Sequence, residues 1–174
     1  LVNKQDILTC FPEIEDRGDR EYTWNKNPQK YPYEPRSAPS TLQAAEGQVC
    51  YTGIFKEGQF HGKGVLLTSK GEKYEGEWKD NVRQGHGVHI GVTGSYFEGE
   101  WARDLRNGPG YLKLNDGTEY EGTWKANRME GRGVIKYPDG GRYEGNIRLG
   151  KKDGRGKYIF PSGAFLQLSA TIIL

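Results

Sequence analysis

The sequence has little of what most catalytic or membrane-spanning chains contain. Its two cysteines, Cys10 and Cys50, give no metal-ligand spacing and no dense disulfide framework. It has no apolar run long enough to cross a bilayer and no recognisable signal peptide. A net charge of only +2 is too small for electrostatic binding of nucleic acid. We therefore expect a cytoplasmic protein with no nucleic-acid partner. A start at Leu1 rather than Met is consistent with a fragment of a longer protein.

Hydrophobic residues are also scarce, at 34% of the 174 residues, with a mean hydropathy of −0.85. Such a composition is low for a chain that folds around one thick core. Aromatic residues nevertheless make up 12% of the chain, which argues against simple disorder. Glycine is over-used, with 26 residues. The chain therefore needs a fold that is rich in glycine and rings but has no deep core.

Residues 1–46 differ in composition from the rest and are predicted to form a separate N-terminal arm. They hold five of the eight prolines, and the stretch NPQKYPYEPRSAPS has a proline every three to four residues. Proline at this density excludes helix and central strand and favours an extended conformation. A disordered linker is one interpretation. The interleaved rings of Tyr22, Trp24, Tyr31 and Tyr33 favour an arm that contacts a partner or its own domain.

From residue 51 the sequence repeats with a period of 23 residues and no insertion. Twenty of the 26 glycines fall into four columns at this spacing, each with five members. One aromatic column runs beside them at Tyr51, Tyr74, Phe97, Tyr120 and Tyr143. A second holds Phe55, Trp78, Trp101 and Trp124, and Ile147 ends it. The chain therefore contains an internal array of five repeats, starting at residues 51, 74, 97, 120 and 143.

Each repeat is predicted to be one β-hairpin. In YEGEW the rings and the glycine alternate with glutamates, which is typical of a strand with an aromatic face and an acidic face. KDNVRQG is then interpreted as a turn, and segments such as GVHI and GVIKY as second strands. Asp-Gly in NDGT and PDGG indicates the turn back to the next tyrosine. Successive hairpins should pair as an antiparallel meander over residues 47–164.

The glycine between the two rings of each first strand is interpreted as a slot. A missing side chain there lets a ring from a neighbouring strand lie flat against the backbone. Stabilisation is then local to each repeat and its neighbours, as in other repeat proteins. This arrangement needs no thick core, in agreement with the low hydrophobicity.

The pattern Y-x-G-x-W, then G-x-G, then a late glycine recurs every 23 residues. It resembles the MORN (membrane occupation and recognition nexus) repeat over residues 51 to about 164. The resemblance implies an elongated, twisted, single-layer antiparallel sheet with a scaffolding or binding role. It also implies no catalysis from the repeats themselves. Similar proteins occur in ciliary radial spokes and other cytoskeletal assemblies, tether membranes, or precede catalytic domains such as lipid kinases.

Residues 165–174 depart from the pattern, because Leu166 and Leu168 stand where a sixth copy would place Tyr and Gly. The apolar ending FLQLSATIIL is interpreted as a strand that caps the sheet. The alternative is a contact for a partner or for a second copy of the chain.

No catalytic or metal site is predicted, and no cofactor. His61, His86 and His89 fall in three different columns of the repeat, and neither H-x-x-x-H nor C-x-x-C occurs. Cys50 has no histidine at the spacing of a known nucleophile pair. The glutamate column that begins at Glu75 is interpreted as solvent-facing strand residues. We therefore expect a protein that is not an enzyme.

Two functional classes remain for the array itself. The first is a protein-binding scaffold in a larger cytoskeletal or ciliary assembly, such as an axoneme. A partner helix or extended segment would lie on a shallow groove of partly covered rings, with the arm as a second contact. The predicted groove residues are Tyr74, Trp78, Phe97, Trp101, Tyr120, Trp124 and Tyr143.

The second class is a peripheral membrane protein that binds anionic phospholipids. Residues 142–157 hold six basic residues against Glu144 and Asp153, and such clusters are attracted to acidic membrane surfaces. The predicted lipid contacts are Arg148, Lys151, Lys152, Arg155 and Lys157. A solvated turn explains the same cluster, and charge elsewhere in the array is nearly balanced. A regulatory module of a larger enzyme is a further alternative, implied by the family resemblance.

Overall fold

A computed structural model describes residues 49–169 of the chain. Within that range the backbone forms eleven strands and no helix. The strands join one antiparallel sheet in which the spatial order follows the chain order. Each 23-residue repeat supplies two strands of this sheet. The predicted all-β meander of five hairpin repeats is therefore confirmed.

The chain divides into two compact units, residues 1–82 and 83–174. The described part of the first unit holds β1 (Val49–Lys56), β2 (Gln59–Thr68) and β3 (Lys73–Lys79). Leu66 in β2 lies opposite Tyr51 in β1 and opposite Tyr74 in β3. Directly opposed residues of an antiparallel ladder share a face. These three apolar side chains therefore form one row across the unit.

The second unit holds the other eight strands and repeats the same register. These strands are β4 (Val82–Ile90), β5 (Tyr96–Ala102), β6 (Leu105–Lys113), β7 (Glu119–Lys125), β8 (Arg128–Lys136), β9 (Arg142–Arg148), β10 (Lys151–Ile159) and β11 (Phe165–Leu168). Leu112 in β6 lies opposite both Phe97 and Tyr120, and Ile135 in β8 lies opposite both Tyr120 and Tyr143. In each unit, the face that carries the ring columns is called the aromatic face below.

The turn inside each repeat is shorter than the sequence indicated. Only two residues form it, both with positive φ, as at Asp80 (52°) and Asn81 (66°). Two residues in this conformation match the right-handed twist of the flanking strands. The interpretation of KDNVRQG as a turn was therefore wrong beyond Asn81, because β4 already begins at Val82.

The first glycine of each G-x-G sits at an irregularity in the hairpin rather than in its turn. In the fourth repeat the register shifts between Gly122 and Thr123 of β7, because Gly133 pairs with Gly122 whereas Glu130 pairs with Thr123. Gly131 lies in this bulge with a φ of +78°, a conformation that favours glycine.

The C-terminal segment begins as a strand, since β11 pairs with β10 along Phe165–Leu168. Phe165 and Leu166 remain 61% and 52% exposed. The roles of this segment as a cap or as a contact both stay predictions, and residues 170–174 lie outside the described range. The predicted arm at residues 1–46 also lies outside it. Cys50 is buried and disulfide-bonded, and the chain's other cysteine, Cys10, is not among the described residues.

Candidate partner-binding face

The aromatic face is built on pairs of opposed glycines. Gly53 lies opposite Gly64 in the first repeat, and Gly122 lies opposite Gly133 in the fourth. A Cβ atom added to Gly64 would lie 2.2 Å from the hydroxyl of Tyr51, and one added to Gly133 would lie 2.5 Å from the Tyr120 ring. The slot predicted from the sequence therefore exists. The ring over Gly53 or Gly122, however, is the tyrosine two residues earlier in the same strand, and it also covers the opposed glycine of the next strand.

Hydrogen bonds fix each ring in its slot. Tyr120 donates its hydroxyl proton to the carbonyl of Thr123 over 2.9 Å, and Tyr143 donates to the carbonyl of Asn146 over 2.8 Å. Phe97 occupies the same column and has no hydroxyl to donate. The ring therefore lies flat over the glycine pair while its polar end bonds to its own strand, three residues on.

The tryptophan column joins each repeat to the repeat before it. Trp78 donates from Nε1 to the carbonyl of Gly64 in the first unit, over 3.2 Å. In the second unit Trp101 donates to Gly87 over 3.2 Å and Trp124 donates to Gly110 over 3.4 Å. Each acceptor is a slot glycine of the preceding repeat. The indole therefore satisfies its polar group without leaving the buried layer.

All seven rings that the sequence placed in an open groove are buried. Their exposed fractions lie between 1% and 5%: Tyr74 2%, Trp78 5%, Phe97 1%, Trp101 3%, Tyr120 2%, Trp124 4% and Tyr143 1%. The expectation that this face is only partly covered was wrong. Direct contact between these rings and a partner stays a prediction.

A column of side chains covers the rings, and it was missed at the level of the sequence. Its members are 23 residues apart: Phe60, Arg83, Arg106, Met129 and Lys152. The members that the strand ladders place opposite the second ring column are Phe60, Arg106, Met129 and Lys152. Phe60 stacks on Tyr51 with 3.7 Å between ring centroids. The same spacing that revealed the glycines could have found this cover column, but its members share no single chemistry.

Cations of the cover column lie over aromatic rings in the second unit. The guanidinium of Arg83 lies 4.4 Å from the centre of the Trp101 ring. That of Arg106 lies 4.6 Å from Phe97 and 5.2 Å from Trp124. Such contacts contribute about 0.5–2 kcal/mol each, and more when water is excluded. Charged side chains therefore form part of the layer that covers the rings of the second unit.

Lys152 lies within a cluster of three tyrosine rings. Its Nζ is 5.1 Å from the ring centres of Tyr137 and Tyr143 and 5.3 Å from that of Tyr158. A shallow cavity of about 530 Å³ opens here. Its lining consists of Asp116, Thr118, Tyr137, Pro138, Asp139, Lys152 and Tyr158. This lining mixes both signs of charge with rings.

The predicted lipid-contact cluster is divided between the two faces. Lys152 lies opposite Ile147 on the aromatic face. Arg148 and Lys151 lie opposite each other, and Lys157 lies opposite Glu144 on the other face. Lys157 also lies 4.0 Å from the Phe165 ring centre. Lys152 therefore does not share a face with Arg148, Lys151 and Lys157, and lipid binding by the cluster stays a prediction.

Burial raises the pKa of several tyrosine hydroxyls in the slots. Desolvation raises the pKa of Tyr120 to about 12, against the smaller lowering effect of its hydrogen bond to Thr123. The pKa of Tyr51 is raised further, again mainly by burial. Burial also raises the pKa of Tyr143. These hydroxyls therefore stay protonated as structural donors at neutral pH.

No catalytic constellation forms among residues 49–169. Within this range no group of three or more His, Cys, Asp or Glu side chains is placed to hold a metal ion. His61 lies 3.5 Å from Asp80, whereas His86 lies 3.9 Å from Glu98 on a different strand pair. His89 lies beside Trp101. The range also contains no helix that could span a bilayer.

Comparison with protein families identifies the array. The profile described as "MORN repeat" matches residues 51–73, 74–96, 97–119, 120–142 and 143–165. The chain belongs to the MORN repeat family. A search of curated proteins gave no match for this MORN-repeat chain.

Three solved structures show weak likeness to the MORN-repeat chain. The TCP10 domain of Danio rerio CPAP with a STIL peptide is 14% identical, with a TM-score of 0.42 over 62% of this chain and 50% of that chain. The Drosophila melanogaster SAS-4 TCP domain with a proline-rich motif of Ana2 is 13% identical, with a TM-score of 0.40 over 60% of this chain and 56% of that chain. A further structure of the wild-type TCP10 domain of Danio rerio CPAP is 16% identical, with a TM-score of 0.35 over 75% of this chain and 74% of that chain. Scores of this size do not establish a shared fold.

Proposed function

We propose that this MORN-repeat chain is a non-catalytic scaffold that holds protein partners in a larger assembly. The proposal rests on a difference between the buried residues, which recur in each repeat, and the residues that cover them, which vary. The ring columns recur and are buried from Tyr74 to Ile147, whereas the cover column changes from Phe to Arg, Met and Lys. A repeated framework with varied outer residues offers a series of distinct contact positions.

Partners would bind through the layer above the rings. The seven predicted groove residues form the floor of the aromatic face, and the cover column forms its outer layer. Met129 stands at the middle of that layer in the second unit, opposite Trp124. A partner helix or extended segment would contact this outer layer first, and the N-terminal arm would supply a second contact.

The proposal also includes the cellular location of the assembly. Membership of the MORN repeat family is compatible with a cytoskeletal or ciliary assembly, such as an axoneme, and with a cytoplasmic location. A fluorescent fusion of the full chain, imaged in ciliated cells beside an axonemal marker, tests this part. Diffuse cytoplasmic signal, or a signal that follows organelle membranes, would contradict the axonemal assignment.

The binding function is tested by capture from native extract followed by reconstitution. The full chain and a chain without residues 1–46 serve as bait, and each captured protein is purified and titrated by calorimetry. Met129→Asp alters the aromatic face, and Val134→Asp is its control because Val134 lies opposite Glu144 on the other face. We expect Met129→Asp to weaken binding and Val134→Asp to leave it unchanged. A chain that retains no partner in stoichiometric amount would contradict the scaffold.

A further inference from the structure

Arg106 lies between Arg83 and Met129 in the sequence order of the cover column. Its side chain lies opposite Trp101 and over the rings of Phe97 and Trp124. Its backbone is fixed by Asn127, whose side-chain oxygen accepts the Arg106 N–H over 2.8 Å and whose own N–H donates to the Arg106 carbonyl over 3.0 Å. The half-buried guanidinium is therefore held in place on the aromatic face.

This guanidinium has no acceptor among residues 49–169. None of the ion pairs in that range involves Arg106, and its side chain makes none of the hydrogen bonds found there. Burial lowers the pKa of the Arg106 guanidinium, and the positive charge of Arg83 lowers it further. A partly desolvated cation gains most from a carboxylate that completes its hydrogen bonds.

The neighbouring repeats show what Arg106 lacks. Arg83, one repeat earlier, bonds to Oδ1 of Asp104 over 2.9 Å. The residue equivalent to Asp104 beside Arg106 is the neutral Asn127. Lys152, two repeats later, shares its cavity with Asp116 and Asp139. Of the three cover-column cations in the second unit, Arg83 and Lys152 have acidic neighbours. Arg106 has no such neighbour among residues 49–169.

The glutamates in the strand ladders of the second unit lie on the other face of the sheet. Glu100 lies opposite His86, and Glu121 lies opposite Tyr111 and Val134, away from the ring columns. The same holds for the other glutamates in these ladders: Glu98, Glu119, Glu130 and Glu144. These glutamates therefore do not pair with Arg106, and an acidic partner can complement its charge.

We propose that the aromatic face of the second unit binds an acidic amphipathic segment of a partner protein, with a carboxylate of that segment bound to Arg106. The inference rests on the proposed scaffold function and adds the chemistry of the partner. Apolar side chains of the segment would lie beside that carboxylate, on Met129 of the same column. The guanidinium lies 4.6 Å from the Phe97 ring centre and 5.2 Å from that of Trp124, and it would bind a carboxylate in the bidentate geometry that arginine favours.

A protein segment fits this surface better than a membrane does. Arg106 is half-buried within a column of one face, whereas a bilayer is flat and requires projecting cations. Exposed cations such as Arg132 and Arg155 do project, but Arg132 lies opposite Asn146 on the other face. The charge complementarity at Arg106 is therefore local, as in a peptide contact.

A random 16-residue peptide library displayed on phage is selected against the full chain and three variants. Arg106→Met removes the charge and retains a hydrocarbon cover, because Met129 fills the same column one repeat later. Arg106→Glu reverses the charge, and Arg132→Glu on the other face is the matched control. Circular dichroism and urea midpoints verify that each variant is folded. We expect the wild type and Arg132→Glu to select peptides with an acidic residue among apolar ones.

The best peptide and an analogue with lysine in place of its acidic residues are then titrated by fluorescence anisotropy. Arg106→Met should lower the affinity for the acidic peptide about tenfold or more, as expected for the loss of a partly buried charge pair. Arg106→Glu should prefer the lysine analogue. Peptides that bind without acidic residues, or with no effect of Arg106, would overturn the inference and leave the scaffold intact. Selection of no peptide at all would count against both. Binding to phosphatidylserine vesicles that depends on Arg106, without peptide binding, would also overturn it.

Discussion

Asp104 joins two repeats through Arg83. One carboxylate oxygen, Oδ1, accepts the backbone N–H of Arg83 over 3.0 Å and its side-chain Nε–H over 2.9 Å. The backbone N–H of Asp104 returns a bond to the carbonyl of Arg83 over 3.1 Å. Asn81 and Asn127 accept a backbone N–H in the same way from Phe60 and Arg106. The two-residue turn of each of these repeats is thus bonded to the repeat before it.

Replacing Asp104 separates the backbone bond from the ion pair. Asp104→Asn retains an acceptor oxygen, as in Asn127. It should lower the free energy of unfolding by less than about 1 kcal/mol, because the ion pair is partly exposed. Asp104→Ala also removes the acceptor of the Arg83 N–H and should cost about 1 kcal/mol more. Urea unfolding of both variants measures the difference. Equal losses would show that the backbone bond contributes nothing.

Filling a glycine slot should destabilise the array strongly. A Cβ atom at Gly122 would lie 2.3 Å from the Tyr120 hydroxyl and 2.9 Å from the Cα of Gly133. The backbone atom cannot move aside, so Gly122→Ala should lower the free energy of unfolding by about 3 kcal/mol, at the upper end for overpacking. The adjacent exposed residue gives the control Glu121→Ala, which should change it by less than about 0.5 kcal/mol. Comparable midpoints for the two variants would contradict the slot.

Stability should fall in alkaline solution as the slot tyrosines ionise in the unfolded chain. The pKa of Tyr120 is raised by burial from 10.0 to about 12. Because the folded state retains the proton more strongly, its stability is complete below pH 10 and is lost as pH rises from 10 towards 12. Tyr120→Phe mimics Phe97, and it should reduce this pH dependence while costing about 1 kcal/mol at neutral pH for the lost hydrogen bond. Urea midpoints recorded between pH 7 and 12 test the slope. A slope that is the same in Tyr120→Phe would count against the prediction.

Binding to anionic liposomes should be weak at physiological salt. The basic cluster is divided between faces, and exposed charges are screened beyond about 8 Å at this ionic strength. Co-sedimentation with phosphatidylserine liposomes measures binding for the wild type and two variants. The double variant Lys151→Glu and Arg155→Glu changes exposed residues on the face opposite the rings, and Lys152→Glu changes the aromatic face. Strong wild-type binding that only the double variant abolishes would make the membrane the first candidate.

Most of the fold could be predicted from the repeat alone, whereas the site could not. Alternation of rings, glycine and glutamate predicted the strands, because side chains of a strand point to alternate faces. The turn was placed too broadly, since VRQG resembles a turn in composition but belongs to β4. The expectation of partly covered rings was wrong because Arg83 lies over Trp101 and Arg106 lies over Trp124. Each of these cations belongs to the strand before that of the ring it covers.

The sequence by itself determined the period, the strand type and the need for glycine at the slots. Because the same pattern recurs every 23 residues, each repeat adopts the same local structure, and its rings and glycines recur on one face. The tertiary structure alone decided which ring fills each slot, what covers the rings and how the charges divide between the faces. These depend on cross-strand register, and the bulge at each G-x-G sets that register by shifting one strand against the next. Arg106 therefore became a candidate for partner binding only when the ladder placed it over Phe97 and Trp124 without a carboxylate in the described range.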